Sequence, residues 1–365
     1  MLDEEQAVHD ENSGARTTAA VDDTFATLRQ IVTAAVFVLV VLFVLPAVLD
    51  YNTFWIRVAT GAVIYSTVVL GLGLLYGRVG MVSLYQFILV AMGAWVALRL
   101  HFATSWPFPV ILLLAGLITG IVGTLIGLPA LRLSGLHLAL ITLMAAGGLT
   151  VILTRWQFPN GGGGFYGRAQ VAGVASLLPR PSIALGDLAY YRYCIVVTVL
   201  LFLLVILHVR GKPGRAWAAL RQSQSTAIAT GVNTTLYRMW AFALASFATG
   251  VAGALLAAAA GGVSSTQFPV QNNITLLAVT LMGGVYSIWG AVVGAFLLRV
   301  FPALLDDWGI GTEWLTVLFG IGVIQVLLTA PGGLVEQVPK DLANLGRKIG
   351  GLFSRSSAPS PDAAE

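Results

Sequence analysis

Apolar stretches of membrane-spanning length follow one another along most of the chain and are separated by short polar turns. A helix rises 1.5 Å per residue, so about 20 apolar residues cross a hydrocarbon core of about 30 Å. Glycines, prolines and interfacial tryptophans mark the ends of these stretches. The predicted spans are Ile31–Leu49, Trp55–Tyr76, Met81–Leu100, Phe108–Leu128, Leu136–Thr154, Tyr193–Val209, Met239–Ala260, a long run from Ile274 to Leu304, and Leu315–Thr329.

The amino-acid composition agrees with this prediction of membrane-spanning helices. Of the 365 residues, 57% are hydrophobic and 10% are charged, against about 25% charged in soluble domains, and the mean hydropathy is +0.86. We therefore predict an all-α, polytopic transmembrane helical bundle with broken helices. Residues 1–30 are predicted to be a disordered cytoplasmic tail, residues 31–334 the transmembrane domain, and residues 335–365 a cytoplasmic C-terminal tail.

A basic loop, residues 210–238, separates two predicted spans and contains no acidic residue. Lys and Arg resist translocation, so we place this loop in the cytoplasm. Its apolar spacing of three and four predicts a short helix that ends at Gly231, where a helix C-terminal glycine is expected. This helix either lies on lipid headgroups and neighbouring helix ends or docks a cytoplasmic partner. The predicted stripe is Trp217, Leu220, Gln224 and Ile228, and the basic residues are Arg210, Lys212, Arg215, Arg221 and Arg238.

The number of crossings follows from the positions of two basic segments, the loop 210–238 and the C-terminal tail. The basic loop and the basic C-terminal tail both belong in the cytoplasm, so an even number of crossings separates them. We therefore divide Ile274–Leu304 at Gly283 and Gly284 into two crossings. About ten crossings result, with both termini cytoplasmic. The segment Arg155–Arg192 carries four arginines yet falls outside, and long loops obey the charge rule less strictly.

Motifs for enzyme chemistry are missing from the sequence. The Gly211-Lys212 pair is followed by Pro213 rather than Ser or Thr, so it is not a nucleotide-binding loop. No metalloprotease motif, cysteine cluster or carboxylate pair lies in the spans. The basic residues do not accompany stacking aromatics in a soluble domain, which argues against nucleic-acid binding.

Carboxylates are almost missing from the membrane region as well. Between Tyr51 and Leu305 the sequence has one, Asp187, whereas ion-coupled carriers usually keep an intramembrane acid or histidine. A transport protein without a coupling charge, but with a structured cytoplasmic loop, fits the membrane subunit of an ATP-driven transporter. An ATP-independent channel or facilitator satisfies most of the same criteria. Polar breaks in the spans argue against a membrane-embedded scaffold.

Two of these breaks combine glycine with polar residues. Broken helices at membrane depth are tolerated only beside protein or a cavity, and their ends supply backbone donors. Such ends suit a zwitterionic or amide-bearing solute. Other pairs, such as Gly116 and Gly120, indicate close helix packing instead. The candidate solute-path residues are Ser83, Tyr85, Gln86, Gly283 and Gly284.

Five segments in order carry a resemblance to a known family. They are GLGLLYGRVGMVSL from Gly71, LPALRLSGLHLALITL from Leu128, GRAWAALRQSQSTAIATGVNTTLYRMWAFALASFATGVAGAL from Gly214, LMGGVYSIWGAVVGAFLL from Leu281 and APGGLVE from Ala330. Together they resemble LivM-type permeases, the inner-membrane subunits of branched-chain amino acid ABC importers.

The resemblance implies a set of partners in a bacterial inner membrane. These are a second, LivH-like permease, two cytoplasmic ATPases that grip the loop helix, and an external binding protein that delivers the solute. ATP and Mg²⁺ would be bound by the ATPases, so no cofactor and no catalytic residue is expected in this chain. The predicted docking element comprises Arg215, Trp217, Leu220, Arg221 and Gly231.

Two departures from the family pattern leave the solute open. The family loop usually carries acids just after the arginine, whereas Arg221 is followed by Gln222, Ser223, Gln224 and Ser225. The stretch after the second span reads MVSLYQFI, with Tyr85 and Gln86 where the family has a small glycine and a histidine. Urea and short-amide permeases share the architecture, so these solutes are alternatives to branched-chain amino acids.

Overall fold

The computed structural model describes residues 33, 36–48, 52–104, 106–130, 135–155, 178–261, 267–309, 314–329 and 333–337. Within these ranges the regular structure is helical, without strands. The predicted tail 1–30, most of the tail 335–365 and the central part of Arg155–Arg192 lie outside them.

The helices of the described ranges are labelled here α1 to α12 in chain order. A 3₁₀ turn, Ser182–Ala184, precedes α6. The helices are α1 (Val36–Val48), α2 (Thr53–Val79), α3 (Gln86–Ala103), α4 (Phe108–Ala130), α5 (Gly135–Arg155), α6 (Asp187–Arg210), α7 (Lys212–Gln222), α8 (Gln224–Ala229), α9 (Thr234–Ala260), α10 (Asn272–Gly283), α11 (Ile288–Asp307) and α12 (Trp314–Thr329).

The chain divides into two compact units, residues 1–56 and residues 57–365. The first contains α1 and the opening turn of α2. There the Asn52 side chain accepts a hydrogen bond from the backbone N–H of Phe54 at 2.9 Å. An asparagine in this position satisfies one of the N–H groups that a helix start leaves without an intrahelical partner.

Seven of the described helices are long and apolar enough to cross a membrane: α2 to α6, α9 and α11. The helix α1, the helix α10 and the central part of α12 are apolar but shorter. The prediction of a polytopic all-α bundle is confirmed. The predicted division of Ile274–Leu304 is also confirmed, because α10 ends at Gly283 and α11 begins at Ile288.

The helix α10 is too short to cross a membrane by itself. Its 12 residues measure about 18 Å, against a hydrocarbon core of about 30 Å. The charge rule requires an even number of crossings between the basic loop and the C-terminal tail, but it does not specify the length of each helix. Any complete crossing at this point must include the segment that precedes α10, where Phe268 is buried.

Three predicted helix starts are wrong. The seventh span was expected to begin at Met239, but α9 begins at Thr234, within the predicted basic loop. The third span was expected to begin at Met81, but α3 begins at Gln86, because Gly80 adopts a left-handed conformation and the next residues are not helical. The sixth was expected to begin at Tyr193, but α6 begins at Asp187. Its first turn mixes polar with apolar residues, so hydropathy alone does not detect it.

The centre of residues 57–365 is formed by α2, α3 and α9, which are buried over most of their length, whereas a third or less of α5, α6 and α11 is buried. Glycines let α3 and α9 meet backbone to backbone. A Cβ added to Gly253 on α9 would overlap the carbonyl oxygen of Val90 on α3, and one added to Gly93 would overlap that of Gly250. Such small-residue contacts are typical of helix association in membranes.

Substitution of Gly253 tests this contact. Gly253→Ala is expected to destabilise the protein by about 1–3 kcal/mol, because the new methyl group has no room beside Val90. The measurement is the melting temperature of the detergent-solubilised protein. The matched control is Gly148→Ala on α5, where a Cβ meets nothing within 4 Å. Equal melting temperatures for the two variants would contradict this close contact between α3 and α9.

Candidate functional site

The basic loop folds into two helices, not the single helix that its spacing predicts. Ser223 adopts an extended conformation with φ −161° between α7 and α8. Its hydroxyl accepts a hydrogen bond from the backbone N–H of Thr226 at 3.4 Å and so caps α8. The predicted stripe is therefore interrupted. Gln224 and Ile228 lie on the second helix and are exposed, Ile228 by 58%, so the prediction that they continue one helical stripe with Trp217 and Leu220 is wrong.

The first half of the predicted stripe attaches α7 to the bundle. Trp217 is fully buried, and its Nε1–H donates to the backbone oxygen of Tyr237 in the first turn of α9 at 2.8 Å. A buried indole needs such an acceptor. Leu220 is buried in the same core. Both side chains point inward, so they hold the loop in place and leave its opposite face exposed.

The end of α8 is closed by Gly231. Its φ of +78° is left-handed, and its N–H donates to the oxygen of Ile228 at 3.0 Å. The next N–H, of Val232, reaches the oxygen of Ala227, also at 3.0 Å. This pair of bonds is a Schellman motif, which satisfies carbonyl groups at a helix end. The prediction of a helix-terminating glycine at this position is confirmed.

The two arginines of the predicted docking element are both exposed. The guanidinium of Arg221 lies over the ring of Tyr286, 4.4 Å from its centroid. Such a cation–π contact holds the side chain in a defined orientation. The Cγ of Arg221 also lies beside Gly80, 3.7 Å from where a Cβ would stand. The loop helix α7 therefore contacts residues at both predicted breaks.

The second break is a glycine turn, Gly284–Ser287, at which several segments converge. Gly284 has a φ of +112°. Gly77, near the end of α2, lies so close that a Cβ would overlap the carbonyl group of Val285. The neighbouring Arg78 donates from Nη2 to the backbone oxygen of Tyr286 at 3.3 Å. Gly333, beyond α12, lies against the backbone of Gly284.

The first break, between α2 and α3, is enclosed by polar contacts. Tyr85 is buried, its hydroxyl donates to the oxygen of Gly123 at 2.9 Å, and its ring stacks on Phe242. Gln86 is 1% exposed, and its Oε1 accepts from the hydroxyl of Thr249 at 2.9 Å. Thr249 is the sixteenth of the 27 residues of α9, so α3 begins near the middle of that helix.

Two side chains from distant helices satisfy the backbone of this break. The N–H of Leu84 donates to the hydroxyl of Thr142 on α5 at 2.9 Å. The N–H of Phe87, in the first turn of α3, donates to Oδ1 of Asn273, in the first turn of α10, also at 2.9 Å. Asn273 is not among the residues that the sequence singles out. The only feature of the sequence that could have indicated its role is an amide side chain at the start of a long apolar run.

A cavity of about 30 Å³ lies at the glycine turn and is lined by Arg78, Thr280 and Gly284, among others. That volume accommodates about one water molecule. Among the described residues, no group of three metal-ligating side chains is present. Of the predicted solute-path residues, Ser83, Tyr85, Gln86 and Gly283 do not line this cavity.

The sequence was compared with known protein families. Residues 54–327 match the family described as "Branched-chain amino acid transport system / permease component". The chain belongs to this permease family. The match includes both breaks and the whole basic loop, and the resemblance to LivM-type permeases is confirmed.

Three relatives illustrate the range of this permease family. The high-affinity branched-chain amino acid permease LivM of Salmonella typhimurium is 27% identical over 314 residues, which cover 79% of this chain and 71% of the relative. LivH of the same organism is 24% identical and covers 74% of this chain and 91% of the relative. The fructose import permease FruG of Bifidobacterium longum is 25% identical and covers 67% and 74%. No solved structure matches.

The contact between Asn273 and Phe87 gives a prediction for this permease. Asn273→Ala leaves the buried N–H of Phe87 without its acceptor, so we expect a loss of about 1–3 kcal/mol of stability. Thermal unfolding of the purified permease measures it. Asn272→Ala is the control, because this adjacent asparagine is partly exposed and lies outside the contact. A larger loss for Asn272→Ala than for Asn273→Ala would contradict the bond's role.

Proposed function

We propose that this permease is the membrane subunit of an ATP-binding-cassette importer, and that it translocates branched-chain amino acids delivered by an external binding protein. The observation that carries the proposal is the family match over residues 54–327. The LivM relative supports it, since the similarity extends over 79% of the chain. The protein is a transport subunit and not an enzyme.

The proposed assembly contains a second, LivH-like permease and two cytoplasmic ATPases in a bacterial inner membrane. The similarity to LivH supports such a pairing, because the two permeases would share one architecture. ATP and Mg²⁺ are bound by the ATPases, and this chain holds no cofactor. The ATPases dock on the basic loop, where Arg215 and Arg221 are exposed. Trp217 and Leu220 anchor that loop, and Gly231 ends its second helix.

The proposed topology has about ten crossings, with both termini cytoplasmic and residues 31–334 in the membrane domain. Seven long apolar helices and three shorter ones in the described ranges support this count. The glycine turn contacts Arg221 of the basic loop, and Gly333 contacts Gly284. Both contacts favour a cytoplasmic position for the turn and for the end of α12. The helix α10 then completes a crossing together with the segment before it.

The proposed solute path runs between the two breaks. Ser83, Tyr85, Gln86, Gly283 and Gly284 meet the solute once α10 separates from α3. The amide of Gln86 supports this assignment, since its Nε2 is buried and has no hydrogen-bond partner among the described residues. Alternating access follows when ATP binding closes the ATPases against the basic loop.

Transport by the reconstituted complex tests the function. The permease, its partner permease and the two ATPases are placed in liposomes with the binding protein, and uptake of radiolabelled leucine is measured. We expect saturable uptake that requires ATP and is competed by isoleucine and valine. Competition by urea or acetamide alone would favour a short-amide permease, and competition by fructose alone a sugar permease. Leucine uptake without ATP and ATPases would favour a channel or facilitator.

The end of α8 provides a second test, of docking. Gly231→Val is expected to lower ATPase co-purification and ATP-driven uptake about tenfold, because a left-handed conformation costs about 1–2 kcal/mol in a residue with a side chain. Gly231→Asn should retain both, since asparagine tolerates this conformation and a Cβ here meets nothing within 4 Å. Membrane levels of both variants are measured alongside. Wild-type uptake and complex recovery in Gly231→Val would remove the docking assignment.

A further inference from the structure

Arg299 is an exposed charged residue in the interior of an apolar helix. It is the twelfth of the 20 residues of α11, so it lies about 17 Å from the start of the helix and about 12 Å from its end. Helical side chains tilt toward the N-terminus of their helix, which directs this one away from the polar end at Asp306 and Asp307. An ionisable residue at such a depth is a candidate functional group.

Contacts with α2 orient Arg299 but do not neutralise it. Its guanidinium lies over the ring of Tyr65, 5.5 Å from the centroid. Gly61, one turn earlier on α2, leaves room for the side chain, because a Cβ there would lie 2.8 Å from Nε of Arg299. The described ion pairs both involve Asp187, so no carboxylate of the described residues pairs with Arg299. The arginine is held in place while its charge stays available to another group.

Lipid hydrocarbon is a poor environment for this charge. A charged side chain inside a bilayer is costly, and such residues almost always face the interior of a bundle or a water-filled cavity. Arg299 is nevertheless exposed on the single chain. The face of α11 that carries it therefore adjoins either the partner permease or a water-filled solute path in the assembled transporter.

The surroundings of Arg299 favour an amino-acid solute. Phe296, three residues earlier on the same face, is 45% exposed and offers an apolar surface. Pro302 lies inside α11 and has no N–H, so the carbonyl group of Leu298 loses the donor that a regular helix supplies. A cation, a carbonyl acceptor and an aromatic ring thus occur within one turn of α11. These groups match the carboxylate, the ammonium group and the apolar side chain of a branched-chain amino acid.

Arg299 also lies on the contact line between α2 and α11 that leads to the glycine turn. Gly294 of α11 lies against Val69 of α2 and the backbone oxygen of Val279 on α10. Arg299 follows five residues later, beside Tyr65 of the same α2. In the proposed topology the glycine turn is cytoplasmic. Arg299 is then in the outer half of the membrane, where a solute released by the binding protein enters first.

We propose that Arg299 is a specificity-determining residue whose guanidinium binds the carboxylate of the translocated amino acid. The carbonyl group of Leu298 accepts from its ammonium group, and Phe296 contacts its side chain. This inference rests on the proposed function and adds a subsite for the solute. A guanidinium binds a carboxylate through two parallel hydrogen bonds, whereas urea and fructose offer no carboxylate.

Thiol labelling tests whether Arg299 faces a water-filled path. Arg299→Cys is made in a Cys194→Ala chain, and the complete transporter in nanodiscs is treated with water-soluble methanethiosulfonates. We expect labelling, and we expect the cationic aminoethyl reagent, but not the anionic sulfonatoethyl reagent, to restore part of the leucine uptake. The control is Ala295→Cys, which is 1% exposed on the same helix and should not react. Labelling of the isolated permease alone would show that the partner permease covers Arg299, and absence of labelling in both would indicate lipid; either result would overturn the proposal.

Removal of the charge provides the quantitative measurement. Arg299→Gln is expected to lower leucine uptake by the reconstituted transporter about tenfold or more, because a hydrogen-bonded pair of opposite charges is lost. Arg299→Lys should give an intermediate rate, since an ammonium group keeps the charge but not the paired hydrogen bonds. The control is Arg155→Gln, an exposed arginine at the end of α5. Recovery of the complex and its ATP hydrolysis are measured for each variant, and wild-type uptake by Arg299→Gln would overturn the proposal.

A ligand without a carboxylate separates recognition from a structural role. Leucine and leucinamide are each added to the permease pair in nanodiscs, without the binding protein, and saturation-transfer NMR detects binding. We expect a leucine signal that Arg299→Gln abolishes, and a weaker leucinamide signal that it leaves unchanged. Equal signals from the two ligands, or no leucine signal, with the wild-type pair would overturn the proposal.

The liposome assay distinguishes failure of this inference from failure of the proposed function. A wild-type transporter that takes up no leucine contradicts both. A wild-type transporter that takes up leucine, together with an Arg299→Gln variant that does so equally well, contradicts only the subsite at Arg299.

Discussion

A broken helix inside a membrane protein exposes backbone N–H and C=O groups where water is not present to satisfy them. This constraint shapes the interior of the permease. At the first break, the N–H groups of Leu84 and Phe87 are satisfied by Thr142 and Asn273, which lie on other helices. The break therefore exists only in the folded bundle. Any movement that separates these helices must replace both hydrogen bonds.

The helix α10 occupies a central position because of the same constraint. Its first turn supplies Asn273 to the start of α3, and its last residue leads into the glycine turn that contacts α2 and α7. Along its length it also contributes to two apolar clusters. Leu276 belongs to the main core, whereas Val279 and Met282 pack with Phe319 of α12. A displacement of α10 would therefore disturb its contacts at both breaks and in both apolar clusters.

Much of this architecture could be predicted from hydropathy and charge, and the exceptions have physical causes. The apolar runs, the division at Gly283 and the helix end at Gly231 depend on local composition and backbone preference, which a sequence displays. The start of α3 depends on Thr142 and Asn273, which are 58 and 186 residues from the groups they satisfy. Spacing alone could not show that Ser223 interrupts the loop helix. It also could not show that Trp217 faces inward, although the residue itself was singled out.

The distribution of charge differs between the two ends of α6. At its start, Asp187 pairs with Arg180 at 2.8 Å and with Arg57 at 3.3 Å. Arg180 also donates to the oxygens of Ala258 and Ala259 in the last turn of α9, where a cation is favoured by the helix dipole. Charges and helix ends are therefore satisfied within the chain on this side.

At the other end of α6, Arg210, Lys212, Arg215 and Arg221 of the basic loop have no carboxylate partner within the described ranges. The apolar side chains Trp217 and Leu220 of α7 are buried in the bundle. Stability does not require these charges, because exposed arginines are well solvated and contribute little to folding. Their uniform sign does, however, determine which surfaces can approach. A basic surface is repelled, and an acidic one is attracted and oriented. The same end of the bundle also contains the glycine turn, so a partner that engages Arg221 acts on the residue that contacts Tyr286.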